Sequence, residues 1–403
     1  MHNFRKMAYR LLFIIFSLLF IILPTRDIRQ QEIDLPIPAD TNAILTKYDA
    51  GTKTFLIDKY FQELCKKGGF NGTILVAQQG KIIYENAHGY SNYQNKDSLI
   101  VSSRFQLASV SKQFTATAIM ILKDRGLLSY EDTVQKYYPN FPYKNVTIRL
   151  LLTHRSGIPN YMYFCDKYCN QDSIINNQDL MRIIEKFQPL KYFKPDKRYM
   201  YSNTGFAVLA AIVEKITKQK FADFMHDNVF KPLRMNNTLI IDAKNDSTYK
   251  NVTKGYSDSR WHAVPKFYQD GVVGDKGVYS TVEDLFKYDQ ALYEGKLIKD
   301  STLLEAFKPS NRQVRGVKNY GFGWRILTFN NENKIVYHGG WWRGFNSLFM
   351  RQLNGHNTII ILTNKVNHSF LHNYSKLLEI LNISSENDLS AQLSETEENS
   401  TAK

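Results

Sequence analysis

At 403 residues, with 43% hydrophobic and 22% charged side chains, the chain has enough apolar material for a large core, which excludes a disordered or low-complexity protein. The 52 Lys and Arg against 38 Asp and Glu give a net charge of +14. That excess is spread along the chain, with no basic block interleaved with aromatics and no recognition-helix motif, so nucleic acid is excluded as the expected partner.

The amino terminus sets Arg5, Lys6 and Arg10 around the start of an apolar run, Leu11 to Leu23, that Pro24 closes. A basic region followed by about 7–15 apolar residues has the form of a secretory signal. No small-x-small cleavage site follows, and no cysteine stands nearby to carry a lipid. Counted from Met7 the run is 17 residues, at the lower limit of about 17 for crossing a bilayer. An uncleaved signal anchor is therefore expected ahead of a cleaved peptide, with Arg10 snorkelling to the interface. In either form residues 1–24 export the rest, leaving it membrane-anchored or periplasmic. Residues 25–50 are polar with scattered prolines and read as a linker. Residues 384–403, acidic and short of large apolar side chains, read as a disordered tail.

Between them, 51–383 forms one folded domain. A helix is expected through "FLIDKYFQELCKKG", apolar at Phe55, Leu56, Tyr60, Phe61 and Leu64. Two short strand-like runs around Gln79-Gly80 predict a β-hairpin. The middle third carries long helical patterns, and Cys165 and Cys169 lie four apart within it. With Cys65 alone and no histidine at ligand spacing, a zinc site is not expected. The pair reads either as a local disulfide or as two unpaired thiols. Strand signals return in "GFGWRILTF", "KIVYHGG", "NSLFMRQL" and "NTIIILTN", and a helix at 370–381 closes the domain. Strands at both ends and helices between them predict an α+β fold. The early hairpin pairs antiparallel with the late strands, the helical segment is inserted as a second lobe, and a cleft lies between.

The chemistry-bearing stretch is "SVSKQFTATAIMIL", with Ser109 and Lys112 three apart at the head of an apolar run. A helix starting at Ser109 stacks Lys112 one turn along the same face and sends Phe114, Ala118, Ile121 and Leu122 into the core. Its N-terminus offers donors to developing negative charge, and a lysine drawn out of water beside a serine has a lowered pKa. Ser-x-x-Lys alone equally describes a capping serine beside a solvated lysine. Three companions follow in order: "LLTHRSGIPNY", then "YSN" at Tyr201 to Asn203, then "HGGWW" at His338 to Trp342.

This ordered set resembles the serine β-lactamase and penicillin-binding-protein superfamily, in particular the class C β-lactamase-related branch of carboxypeptidases, D-aminopeptidases and esterases. The resemblance spans about Phe55 to Leu381 and includes "GDKGVYSTVEDLFKYDQAL". It implies an antiparallel sheet flanked by helices with an all-helical lobe. It also implies a reaction through an acyl-enzyme on Ser109, with Lys112 as electrostatic partner and Tyr201 as general base or proton shuttle. Asn203 would bond the substrate amide and Lys112, and the backbone amides of Ser109 and Trp341 would form the oxyanion hole.

Where class C enzymes carry Lys-Thr-Gly, this chain has His338-Gly339-Gly340. His338 would line the cleft and titrate near neutrality. Gly339 lacks the hydroxyl that helps hold a substrate carboxylate, which disfavours tight recognition of penicillins or of a free D-Ala terminus and, with it, true β-lactam hydrolysis. His154 reads as a buried, hydrogen-bonded histidine, and Tyr161, Trp341 and Trp342 as pocket-lining or lobe-interface aromatics. No metal or organic cofactor is implied, since the chain has no His-Glu-x-x-His, Gly-x-Gly-x-x-Gly or P-loop. It also lacks the Gly-x-Ser-x-Gly of an α/β-hydrolase. The substrate expected is a small ester or amide, such as a D-amino-acid or peptidoglycan-related peptide. The alternative is a catalytically silent member of the fold that only binds such ligands.

Overall fold

The computed structural model describes residues 50–242, 252–257, 260–310, 318–328, 334–366 and 375–383. The expected signal segment, all but the last residue of the linker, the acidic tail and the first half of the closing helix lie outside these residues. Among the described residues, no helix is long and apolar enough to cross a membrane.

Helix α1 (Ala50–Lys66) buries Lys53, Ile57, Tyr60, Phe61 and Leu64 along one face. Phe55, expected on that face, is 64% exposed, because it lies two positions before Ile57 and so points away from the stripe. Strands β1 (Gly72–Gln78) and β2 (Lys81–His88) form the expected hairpin. Gln79 and Gly80 both have positive φ, 51° and 72°, the two left-handed residues that a two-residue turn with the correct twist requires.

A small ribbon follows, β3 (Tyr90–Asn92) and β4 (Asp97–Ser98), and then β5 (Phe105–Gln106). Beyond β5 come a 3-10 turn (Ala108–Val110) and α2 (Ser111–Asp124). The helical lobe comprises α3 (Ile148–Leu152), α4 (Tyr161–Tyr168), α5 (Asn177–Phe187), α6 (Asn203–Thr217) and α7 (Phe221–Met225). The chain returns through β6 (Leu239–Ile240), β7 (Val278–Ser280), α8 (Val282–Tyr293) and α9 (Asp300–Ala306). It then adds β8 (Lys318–Tyr320), β9 (Arg325–Thr328), β10 (Lys334–Trp342), β11 (Phe345–Gln352), β12 (Asn357–Thr363) and α10 (Ser375–Ile380).

The main sheet runs β2-β1-β12-β11-β10-β9-β8 with every neighbour antiparallel. The early hairpin thus joins the late strands, Gly72 opposite Thr363 and Ala77 opposite Thr358. A second, three-stranded sheet runs β5-β7-β6. Helix α2 does not present a single stripe: every residue from Ser111 to Leu122 is buried. Asn203 to Val213 of α6 are buried in the same way. Both helices are thus wrapped on all sides, α2 burying Ser111, Lys112, Gln113, Thr115 and Thr117 along with its apolar residues. On the sheet side, Arg351 pairs with Asp289 at 2.5 Å, both buried, and Thr358 donates to the same carboxylate.

Candidate active site

Ser109 does not cap a helix. It sits in the 3-10 turn before α2, whose own N-cap position is Val110 with no side-chain cap bond. The turn begins with Ala108 at φ +47°, a left-handed conformation that costs a non-glycine residue about 1–3 kcal/mol and persists only where its surroundings hold it. They do so here: Leu107 N donates to Val278 O at 2.8 Å. Ser347 Oγ donates to Leu107 O at 2.6 Å, and Val278 N donates to Ser111 Oγ at 3.2 Å. The nucleophile turn is pinned from both sheets.

That geometry brings three of the expected residues together. Lys112 Nζ lies 2.9 Å from Ser109 Oγ, and Tyr201 OH lies 2.8 Å from the same oxygen. Lys112 has no exposed surface, and its second bond runs to the backbone carbonyl of Asp275 at 2.9 Å. Burial pulls its ammonium down to about 7, with Asp275 opposing and Arg325 assisting. Burial also pushes the Tyr201 phenol well above its ordinary range, although the bond to Ser109 and the charge of Arg325 pull the other way. The resting phenolate expected of a general base at Tyr201 is therefore disfavoured. The neutral amine of Lys112 is within reach at neutral pH.

Asn203 opens α6 beside this pair but does not bond Lys112. Its Nδ2 donates to Met162 Sδ at 3.1 Å, and its Oδ1 is buried without a partner among the described residues. That oxygen is an acceptor left for something else.

His338 lies in the middle of β10 and not at its end. It is 1% exposed. Its Nδ1 donates to Gly339 O at 2.6 Å, and its Nε2 accepts from Tyr320 OH at 3.0 Å. Burial, then Arg325 and Lys112, hold it well below the usual imidazole range. The expected titration near neutrality is thereby corrected: His338 is a neutral strut. His154, also buried, has φ +56° and accepts from Ser202 N through Nδ1 at 3.2 Å. Its ring lies 4.3 Å from that of Tyr201 and helps to fix it.

Gly339 is half-buried and Gly340 buried beside the turn. A Cβ on Gly340 would fall 2.3 Å from Leu107 O and 3.0 Å from Ser109 N, so only glycine permits this approach. Strand β9 pairs with β10 only over Lys334 to Tyr337. From His338 onward that edge has no strand neighbour among the described residues, and it runs past Ser109.

Trp341 is exposed on this strand, whereas Trp342 is buried and its Nε1 donates to Asp270 at 2.9 Å. Tyr161 has no exposed surface and lies beneath the site, its hydroxyl donating to Asp275 Oδ2 at 3.0 Å. Trp342 and Tyr161 therefore support the pocket from behind and do not line it. Cys165 and Cys169 are both thiols in the structure, and among the described residues no cluster of His, Cys, Asp and Glu could hold a metal ion.

Two residues went unread in the sequence. Asp275 lies in the quoted "GDKG" phrase, where an acid and a base set between glycines in an apolar run were a signal of buried charge. Arg325 lies in "GFGWRILTF", on β9, 5.9 Å from the Tyr201 ring. Around it stand Tyr199, Tyr201, Tyr320 and Tyr337, and no carboxylate among the described residues pairs with it.

A serine bracketed by a lysine one turn on and a tyrosine from the helical lobe, beside the open edge of an antiparallel sheet, defines the penicillin-binding-protein-like class of serine hydrolases. The chain belongs to the beta-lactamase family, whose model matches residues 57–381. It is similar to penicillin-binding protein 4* of Bacillus subtilis (strain 168), 37% identical over 317 residues covering 76% of this chain and 70% of that one. It is also similar to Protein flp of Staphylococcus aureus (strain N315), 26% identical over 338 residues that cover 81% and 65%. The octameric penicillin-binding protein homologue from Pyrococcus abyssi superposes with a TM-score of 0.69 at 25% identity, over 82% of this chain and 77% of that one. FmtA from Staphylococcus aureus shares the fold, with a TM-score of 0.67 at 20% identity over 85% and 97%.

Proposed function

We propose that the protein is an exported serine hydrolase that forms an acyl-enzyme on Ser109 with a small ester or amide related to D-amino-acid or cell-wall peptides. The observation that carries this reading is the pair of contacts on one oxygen, Lys112 at 2.9 Å and Tyr201 at 2.8 Å. The amine of Lys112 takes the Ser109 proton as Oγ attacks the carbonyl carbon. Tyr201, kept protonated, passes a proton to the leaving group and is reprotonated by the Lys112 ammonium, which returns to the amine. The oxyanion is received by the amides of Ser109 and Trp341, and an extended acyl chain lies along the free edge of β10. The relatives' names bring penicillin binding to this chain as an expectation of acylation. The hydroxyl missing at Gly339 works against that expectation, because such a hydroxyl helps to hold a substrate carboxylate.

Arg325 supports a substrate that carries a negative group, because a cation ringed by tyrosines and unpaired among the described residues is an anion receptor in waiting. The test is the intact mass of the full-length chain after exposure to a fluorophosphonate, beside Ser109→Ala. One adduct on the native chain and none on the variant is expected; no adduct on a folded native chain would refute the reading. Matched esters with and without a terminal carboxylate then read Arg325. Arg325→Gln should raise KM only for the acid.

A further inference from the structure

Behind the Ser109–Lys112 pair lies a second layer of buried charge. Asp275 is 1% exposed and Lys276 2%, and they are adjacent on the loop leading into β7. The Asp275 carbonyl takes the second bond from Lys112. Its carboxylate accepts from Tyr161 OH through Oδ2, while Oδ1 has no hydrogen-bond partner among the described residues and stands 3.7 Å from Lys276 Nζ. Lys276 in turn bonds Tyr161 OH and donates to Val272 O at 3.0 Å, with the Trp342 ring 4.9 Å away. Asp275 thus touches both buried ammoniums, Lys112 through its backbone carbonyl and Lys276 through its carboxylate, with Tyr161 clamping the carboxylate to Lys276. The acid neutralises the buried Lys276 ammonium, and an amide in its place would keep the backbone contact to Lys112 but remove that charge.

We propose that Asp275 is a positioning residue that sets the charge state of Lys112, and that Lys276, held against it through Tyr161, tempers its pull. The inference rests on the reading of Ser109 and Lys112 as the acylating pair. The other groups facing Lys112 are Tyr201 at 4.9 Å from ring centroid to Nζ, His154, His338 and Arg325. Both histidines are held neutral by burial, and Arg325 opposes the ammonium. Asp275 is the acid among them that favours it, and Asp270 stands one layer further back, facing Lys276 and Trp342.

Opposite signs follow for the two partners. Asp275→Asn removes the charge that holds the proton on Lys112, so Lys112 releases it at lower pH. Lys276→Met removes a competing cation and frees the carboxylate, so Lys112 keeps its proton to higher pH. A change of about one pH unit in each direction is the size expected when a single charge is deleted within a few ångströms in a buried site.

The measurement is the titration of Lys112 in the full-length chain labelled with [ε-13C]lysine, its resonance assigned as the one lost in Lys112→Met. The pH dependence of fluorophosphonate labelling is read in parallel. Tyr161→Phe, which leaves every charge in place, should move the midpoint less than either charge deletion. Midpoints moving in opposite directions support the proposal. Unmoved midpoints, or midpoints moving together, overturn it, as a merely structural role would slow the reaction without splitting the signs. Should Asp275→Asn fail to fold, an upward midpoint in Lys276→Met supports the assignment, and an unmoved or lowered one defeats it. If Lys112 titrates as described but Ser109 takes no probe, the charge coupling is present but the hydrolase reading fails, and with it the positioning role.

Discussion

Gly340→Ala tests how closely the open strand edge must approach the nucleophile turn. The added Cβ would meet Leu107 O at 2.3 Å, Ser347 Oγ at 2.3 Å and Ser109 N at 3.0 Å, where ordinary contact begins at 3.4 Å. Two of these atoms belong to the backbone and the third is committed to the 2.6 Å bond that pins the turn. Strand and turn must therefore part by about 1 Å, since packed interiors absorb little. Overpacking of this kind costs about 1–3 kcal/mol of stability. A displacement of about 1 Å at a reacting atom costs about 100-fold in rate, or about 2.7 kcal/mol of barrier at 1.36 kcal/mol per tenfold.

Labelling of Ser109 by fluorophosphonate should thus fall about 100-fold while the protein stays folded at 25 °C. The control is Gly126→Ala, beyond the far end of α2. Gly126 has φ +72° and open space around it, so alanine there costs about 1–2 kcal/mol through backbone strain alone and should leave labelling unchanged. If Gly340→Ala labels within about threefold of the native chain at equal occupancy of the folded state, the oxyanion geometry does not depend on that approach.

Labelling of the native chain should rise with pH through about 7 and level off above, as Lys112 loses its proton; a flat profile between pH 5 and 9 would remove Lys112 as the base. The same residue makes folding pH-dependent. Its folded pKa, about 7, lies below the ordinary lysine value of 10.5, so between those values the unfolded chain binds more protons. Stability should therefore climb with pH across that window, by up to about 1.4 kcal/mol per unit. Urea titrations of the native chain and Lys112→Met, in which that slope disappears, check it. Tyr201→Phe removes the proton donor but leaves the ring against His154; hydrolysis of an amide should fall about 100- to 10,000-fold with little change in melting temperature. Asp289→Ala, by contrast, strands the buried Arg351 and should cost about 3–5 kcal/mol by denaturant unfolding.

The residues that bracket Ser109 were legible because their types and order are restrictive, and the sheet because alternation and turn chemistry fixed the hairpin and late strands. The 3-10 turn was not. Nothing local distinguishes a helix that starts at Ser109 from one that starts at Ser111, and the difference is imposed by Val278 and Ser347, distant in sequence, which hold Leu107. For the same reason Tyr161 looked like a pocket residue. Its aromatic type was visible, but the buried acid 114 positions away that claims its hydroxyl was not. Arg325 was unreadable because a single arginine in a strand is usually solvated, and only the fold surrounds this one with tyrosines.

The register of β1 against β12, Gly72 opposite Thr363, has a consequence for the order of assembly. The strand made first lies inside the sheet, and one of its two neighbours is the last strand made. The hairpin can form as soon as β2 is synthesised, but β1 stays half-paired until almost the whole domain has emerged. Contacts of such long sequence separation close slowly. The turn that carries Ser109 waits as well, since its anchor, Ser347, belongs to β11. A nascent or truncated chain that ends before β11 therefore holds the sequence of the nucleophile without its geometry. Reactivity should appear only as the domain is completed, after the helical lobe is already in place.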